Sequence, residues 1–153
     1  MAFELKLLAL NAIVPLAELS DALMITNFTP TFLIIVRTLM GLMFLFSSVV
    51  VLFNLVPQPE LHGNVKVFMD GVNASVYLLT LIKVTELLCS IAFLSGRFVP
   101  LATIVIFPIT LNILLYHAFL APEGLIAAVA LLLGNLFLAY YYRNNYKLIL
   151  AAK

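Results

Sequence analysis

The chain has 153 residues, of which 65% are apolar and only 10% are charged, and its mean hydropathy is +1.19. Ordinary soluble domains carry roughly 45–50% apolar and about 25% charged residues, so a water-soluble globule of this size could not bury so much apolar surface. Eight basic against seven acidic side chains give a net charge of +1 with no basic block, which excludes the usual electrostatic footprint of a nucleic-acid-binding protein. We therefore predict a polytopic protein that lies in a lipid bilayer.

The first 30 residues form an apolar segment with a narrow polar stripe. Glu4, Asn11, Glu18 and Asp21 recur at helical spacing, and Pro15 interrupts the middle. The segment lacks the basic start and the small-residue cleavage site of a signal peptide. We favour an amphipathic helix that lies flat at the membrane interface, because this placement keeps the acidic stripe in water. A fifth span and a helix packed on a partner protein are the alternatives.

Stretches that are poor in charged side chains predict four transmembrane helices. A bilayer core of about 30 Å needs about 20 helical residues to cross it, and lipid offers the backbone amides no other hydrogen-bond partner. The predicted spans are residues 31–55, 73–95, 98–118 and 123–142. The fold class is therefore all-α, an integral membrane antiparallel four-helix bundle preceded by the amphipathic N-terminal helix.

The connections between these spans complete the domain organisation. Tight turns are predicted at residues 95–97 and 121–124, and a long loop is predicted over residues 56–72 because prolines and glycines interrupt it. The four-helix domain then covers residues 31–146, and residues 147–153 form a cytoplasmic tail.

Four spans place both termini on the same side of the membrane. The opposite side would carry Lys66 as its one basic side chain outside the spans. The positive-inside rule then predicts that both termini are cytoplasmic. The basic side chains assigned to the cytoplasmic side are Lys6, Arg37, Arg97, Arg143, Lys147 and Lys153.

Several polar side chains fall inside the predicted spans. An ionisable group in mid-membrane costs roughly 2.5–3.5 kcal/mol on insertion scales, so such groups usually face the bundle interior and are paired. The helical rise predicts one layer near the cytoplasmic side and a second layer one turn further out, with a histidine near the outer mouth. We call this set the polar seam: Arg37, Glu86 and Asn135 in the first layer, Lys83 and Asn112 in the second, and His117 at the mouth.

The polar seam has two interpretations. In the first, the polar seam forms a ligand-binding pocket. Lys83 and Asn112 are then the strongest candidates for ligand-binding residues, because an ammonium group near mid-membrane needs several acceptors. Alternatively, it is a structural network that holds the helices together, with Arg37 extending to the cytoplasmic headgroups. Two histidines, His62 and His117, without a third ligand do not predict a metal site. The single cysteine, Cys89, excludes an internal disulfide and a CxxC motif.

Several different short motifs lie between the first span and the end of the third. They are Arg37-x-x-x-Gly41, Pro57-x-Pro59, Lys83-x-x-Glu86, Ser95-Gly96-Arg97-Phe98-Val99-Pro100-Leu101-Ala102, Pro108-Ile109-x-x-Asn112-Ile113 and His117. On these motifs, residues 32–147 resemble the DoxX family of small four-helix membrane proteins.

The resemblance implies a four-helix antiparallel bundle in the cytoplasmic (inner) membrane of a bacterium. It also implies an association with membrane redox systems, which in this family include a thiosulfate:quinone oxidoreductase subunit. The chain departs from the related proteins late in the first span. They carry an Asn-Gly pair there and a histidine before the Pro-x-Pro, where this chain carries Val50, Val51 and Asn54.

Two functions are therefore expected. The first is an accessory subunit of a redox-linked membrane complex, bound to a partner protein or to further copies of itself. The second is a module that binds a quinone or another small lipophilic ligand in the polar seam. No metal, flavin or nicotinamide motif is present, so any enzymatic role is that of an oxidoreductase subunit that receives electrons from a partner. Catalytic residues are not predicted.

Overall fold

The structure is a computed structural model that describes residues 30–57 and 60–150, with side chains described through Lys147. The helices in chain order are α1 (Pro30–Leu52), α2 (Gly63–Ala74), α3 (Leu78–Ser95), α4 (Val99–Phe119), α5 (Leu125–Tyr141) and α6 (Arg143–Leu150). A 3₁₀ turn at Pro122–Gly124 leads directly into α5.

Four of these helices are long and apolar enough to cross a membrane: α1, α3, α4, and α5 together with its 3₁₀ turn. No strand occurs within the described ranges. The predicted all-α, four-span membrane fold is therefore confirmed. The predicted amphipathic helix falls almost entirely on residues 1–29, which lie outside the described residues. The chain divides into two units between Ile35 and Val36. The helix bundle belongs to the second unit, which includes α1 from Val36 onward.

Glycines let α1 approach two neighbouring helices closely. A Cβ atom at Gly41 would lie 2.9 Å from the Leu94 side chain of α3, and one at Gly134 of α5 would lie 3.0 Å from the Met40 sulfur of α1. Small residues at such crossings allow the backbones of membrane helices to come together. α1 therefore packs against both α3 and α5.

Polar contacts connect α4 to the same two helices. The Cys89 thiol of α3 lies 3.7 Å from the carbonyl oxygen of Ala102, and the Asn135 amide of α5 donates to the carbonyl of Thr103 at 3.3 Å. α1, α3, α4 and α5 thus form a closed ring around a shared interior.

Large apolar side chains on the outside of all four spans are exposed, as expected for helices that face acyl chains rather than water. They include Phe46 of α1, Leu88 of α3, Leu101 of α4 and Leu133 of α5.

The turn between α3 and α4 follows from three residues. Gly96 ends α3 with a left-handed backbone (φ 72°), a conformation that costs glycine little. Phe98 is also left-handed (φ 58°), and Pro100 lies in the first turn of α4, where its missing N–H is not needed. This end of the bundle is called the Gly96 end below, and the opposite end is called the α2 end.

The long loop predicted over residues 56–72 contains a helix, so this prediction is wrong in part. Gly71 is one of the glycines predicted to interrupt this segment, but it is helical, and no atom beyond the neighbouring helix backbone lies within 4 Å of its potential Cβ position. α2 is amphipathic, with an exposed Lys66–Asp70 ion pair at i,i+4 spacing. Because α2 occupies part of the connection, α1 ends at Leu52 rather than at residue 55, and α3 begins at Leu78 rather than at residue 73.

The boundary predicted between residues 146 and 147 is also not seen, because α6 continues through it to Leu150. Tyr146 of α6 is buried, and its hydroxyl donates to the carbonyl oxygen of Pro100 at 3.2 Å. Burial raises the pKa of the Tyr146 phenol above its ordinary value. The C-terminal helix is thereby attached to the start of α4 at the Gly96 end.

Candidate functional site: a cavity at the α2 end

A cavity of about 690 Å³ opens within the described part of the bundle. Its volume lies in the range of small-molecule pockets. α1, α3, α4 and α5 supply its walls, and Phe68, Met69 and Val72 of α2 also line it. Because α2 and the second half of α4 contribute, the cavity lies at the α2 end. Four residues of the polar seam line it: Lys83, Glu86, Asn112 and His117.

An ion pair forms the polar part of the cavity wall. The Lys83 ammonium lies 2.8 Å from Glu86 Oε2, and the two residues share a face of α3 because they are three positions apart. The side chains are 14% and 2% exposed, respectively, so the carboxylate is enclosed and the ammonium is more open. Lys83 also donates to the hydroxyl oxygen of Ser47 on α1 at 2.8 Å. Two helices therefore hold the ammonium in place.

His117 is oriented by the end of α4. Its Nδ1 lies 2.8 Å from the carbonyl oxygen of Ala121. A carbonyl can only accept, so Nδ1 carries the proton and Nε2 is an acceptor in the neutral ring. The ring lies against Gly124, where an added Cβ would be 2.1 Å from Cε1 of the imidazole. The lack of a side chain at Gly124 thus makes room for His117.

Asn112 lines the cavity without a hydrogen-bond partner among the described residues. It lies one turn after Pro108, which also lines the cavity and leaves the carbonyl of Ile104 without its usual helical donor. The amide of Asn112 keeps both donors and its acceptor available.

Apolar side chains make up most of the remaining wall. Met43 and Phe44 come from α1, and Phe68 of α2 packs against Tyr116 of α4 with ring centroids 5.6 Å apart. A few polar groups set in a largely apolar wall are typical of sites that bind amphipathic or lipid-soluble molecules.

Arg37 lies elsewhere, and the layer predicted to join it to Glu86 is not formed. Its guanidinium lies against Gly96, where an added Cβ would be 2.5 Å from Nη1. Within residues 30–57 and 60–150, no acidic group lies within 4.0 Å of Arg37, and its buried Nε has no hydrogen-bond partner. Gly96 leaves space for a large cation at the carbonyl end of α3, which is the favourable end of the helix dipole.

Asn135 is also separate from the cavity. It is fully buried at the α4–α5 contact, and its Oδ1 has no hydrogen-bond partner in the part of the chain that the structure describes. The predicted polar seam is thus divided: Arg37 and Asn135 do not line the cavity that the other four share.

Sequence reasoning missed two contributors to the cavity. Ser47 carries no charge and stands in an apolar helix, so nothing in its own character marks it as the partner of Lys83. Its spacing of four residues from Met43, on the same helical face, is the available signal. The apolar face of α2 was missed because the prolines and glycines of this segment predict a loop.

Comparison with known proteins identifies one family. The sequence model of the DoxX family matches residues 32–120, which is more than half of the chain. Neither a protein of curated function nor a solved structure matches significantly. The motifs, the four spans and this match lead to one conclusion: the chain is a polytopic membrane protein that belongs to the DoxX family.

Proposed function

We propose that the cavity binds the polar head of a lipid-soluble molecule of the quinone class, and that the protein serves as a subunit of a redox-linked membrane complex. One observation carries this proposal. The Lys83–Glu86 ion pair lies in the wall of a cavity large enough for a ligand, rather than within a closed helix–helix contact.

The energetics favour a binding role for this ion pair. Hydrogen bonds between membrane helices average about 0.6 kcal/mol, which is small beside the cost of placing an ammonium group in a span. A ligand oxygen would give Lys83 a further acceptor, and Asn112 and His117 offer further polar groups. Glu86 is suited to relay a proton by way of the Lys83 ammonium, to which it is hydrogen-bonded, as a quinone and its quinol interconvert.

The subunit role follows from the composition. One cysteine, two histidines and no flavin or nicotinamide motif give the chain no recognisable electron carrier of its own. The electrons would come from a protein partner in the same membrane.

Calorimetric titration of the purified protein in lipid nanodiscs tests the binding proposal. Decylubiquinone should bind saturably, and Lys83→Met should weaken this binding by about tenfold or more, because it removes a charged donor. Asn112→Leu should weaken binding without disturbing the ion pair. Lys66→Met is the matched control, since Lys66 is an exposed lysine whose ion pair lies on the outer side of α2. Equal affinity in all four proteins would contradict the proposal.

A non-catalytic assembly subunit is the second candidate. It is favoured by the Lys83–Ser47 hydrogen bond, which joins α3 to α1 as a contact that fixes helix register would. In this case residues 1–28 would bind the larger complex, and their deletion should release the protein while the four spans stay inserted. Purification of the full chain as a monodisperse monomer with no co-purifying protein would argue against this role and against a homo-oligomer.

We also propose that the chain lies in the cytoplasmic membrane of a bacterium with both termini inside. In support, Arg37, Arg97, Arg143 and Lys147 lie at the Gly96 end. Outside the spans, the α2 end carries one lysine, Lys66, within the described ranges, along with acidic side chains.

A membrane-impermeant maleimide tests this orientation in whole cells. The native thiol of Cys89 is buried, so background labelling should be low. An Asn73→Cys variant should react in intact cells, whereas Ser95→Cys should react only after permeabilisation. The reverse pattern would place the termini outside.

A further inference from the structure

The fixed charges on the cavity wall cancel. Among its lining residues, Lys83 is the one side chain with a permanent positive charge and Glu86 is the one acidic side chain. The two charges lie 2.8 Å apart, so an incoming group meets both of them together. A ligand that brings its own charge into the cavity would therefore find no unpaired counter-ion.

The hydrogen-bonding capacity of the pair is nevertheless not used up. An ammonium group has three N–H donors. In Lys83 one is directed to Glu86 and one to Ser47, which leaves a third for a ligand. The Glu86 side chain is only 2% exposed, against 14% for Lys83, so the donor rather than the carboxylate is the group that a ligand reaches.

From these two observations, and on the assumption that the proposed ligand site is correct, we infer that the cavity selects uncharged heads that carry a carbonyl-type acceptor oxygen. Carboxylate and phosphate heads on the same tail are rejected. Glu86 is the specificity-determining residue, because it neutralises Lys83 while leaving one N–H free to donate.

The physical reason is the local dielectric. In a largely apolar cavity an anionic head would lose its hydration and would lie near the Glu86 carboxylate, and the attraction of Lys83 would be offset by that repulsion. A neutral carbonyl gives up much less hydration and still accepts the third hydrogen bond. Without the charge of Glu86, Lys83 would be an unpaired cation and an anion would become the better ligand.

A matched pair of probes tests this selectivity. Methyl decanoate and decanoate have the same ten-carbon acyl chain, but the first presents a neutral carbonyl and the second is ionised at neutral pH. Each is titrated as a competitor of bound decylubiquinone in nanodiscs. The ratio of the two half-displacement concentrations is then compared between proteins, so that partitioning of the probes into lipid cancels.

In the unmodified protein the ester should displace at a concentration lower by about tenfold or more. Glu86→Gln should lower this preference by at least the same factor or reverse it. Asp70→Asn, which removes an exposed carboxylate of α2, should leave the ratio unchanged. A ratio near one in the unmodified protein, or the same ratio in Glu86→Gln, would overturn the inference.

Failure of the selectivity and failure of the binding proposal give different results. If decylubiquinone binds and decanoate competes as well as the ester, the site stands and the selectivity is wrong. If decylubiquinone does not bind, the quinone proposal is wrong, and direct calorimetry with the two decanoyl probes still measures the selectivity. Absence of binding by both probes would overturn it as well. If Glu86→Gln does not fold, the ratio in the unmodified protein decides, with each half-displacement concentration expressed as probe in the lipid phase.

Discussion

The Gly96 end and the α2 end of the bundle are built from the same four apolar helices but differ in how they are filled. At the Gly96 end, Phe93, Val99 and Leu138 are at most 1% exposed, and Gly41 and Gly134 allow close helix contacts. At the α2 end a short amphipathic helix covers part of a cavity of about 690 Å³. Apolar composition alone therefore does not decide whether a part of the bundle is packed or open.

The Lys83 ion pair also distinguishes the two ends. At the Gly96 end Thr103 and Asn135 donate to the backbone carbonyls of Val99 and Thr103. At the α2 end Lys83 binds the side chains of Ser47 and Glu86 and keeps a donor to spare. The first arrangement stabilises helices, and the second has the capacity to bind another molecule.

Two phenylalanine truncations, one at each end, should show the largest difference in stability between the Gly96 end and the α2 end. Phe93→Ala should lower the free energy of unfolding by about 3–5 kcal/mol, because it leaves a hole in a closed interior. Phe68→Ala, at the cavity, should lower it by less than about 1 kcal/mol, because Phe68 is 38% exposed. Denaturant titration in detergent, followed by helical circular dichroism, measures both. Similar losses would show that the two ends are equally packed.

A pair of glycine substitutions should give an intermediate effect. Gly124→Ala places a Cβ within 2.1 Å of the His117 ring, so the imidazole must move and lose its bond to Ala121. Overpacking of this kind typically costs about 1–3 kcal/mol, and decylubiquinone binding should weaken with it.

Gly71→Ala is the control for this substitution, because nothing lies within 4 Å of its potential Cβ position. It should stabilise α2 by about 0.5–1 kcal/mol through helix propensity and leave ligand binding unchanged. Calorimetry and thermal unfolding of both variants provide the comparison. Loss of binding in Gly71→Ala alone would argue that α2, rather than His117, controls the site.

The smallest effect is expected for Asn135→Leu. The substitution removes one hydrogen bond of 3.3 Å but also removes a buried oxygen that has no partner among the described residues. The two changes offset one another, so stability should change by less than about 1 kcal/mol and ligand binding should not change. A large loss of quinone affinity would mean that Asn135 and the cavity at the α2 end are coupled, contrary to this prediction.

The sequence predicts those parts of the site that depend on the spacing of residues within one helix. Lys83 and Glu86 are three residues apart in a helix, so they share a face wherever the helix lies. Asn112 and His117 follow in the next span, and the structure brings all four to one cavity. Arg37 could not be placed in this way, because a long side chain near a helix end can reach in several directions, and the space at Gly96 decides among them.

The sequence by itself determined the four spans and their helical form, because a backbone in lipid must satisfy its own hydrogen bonds over about 20 residues. Only the tertiary structure decided that Ser47 meets Lys83, that α2 lines the cavity, and that Asn135 and Arg37 lie outside it. Hydropathy and periodicity describe one helix at a time. The rotation of each helix about its axis, which selects the side chains that meet, depends on contacts between residues far apart in the chain.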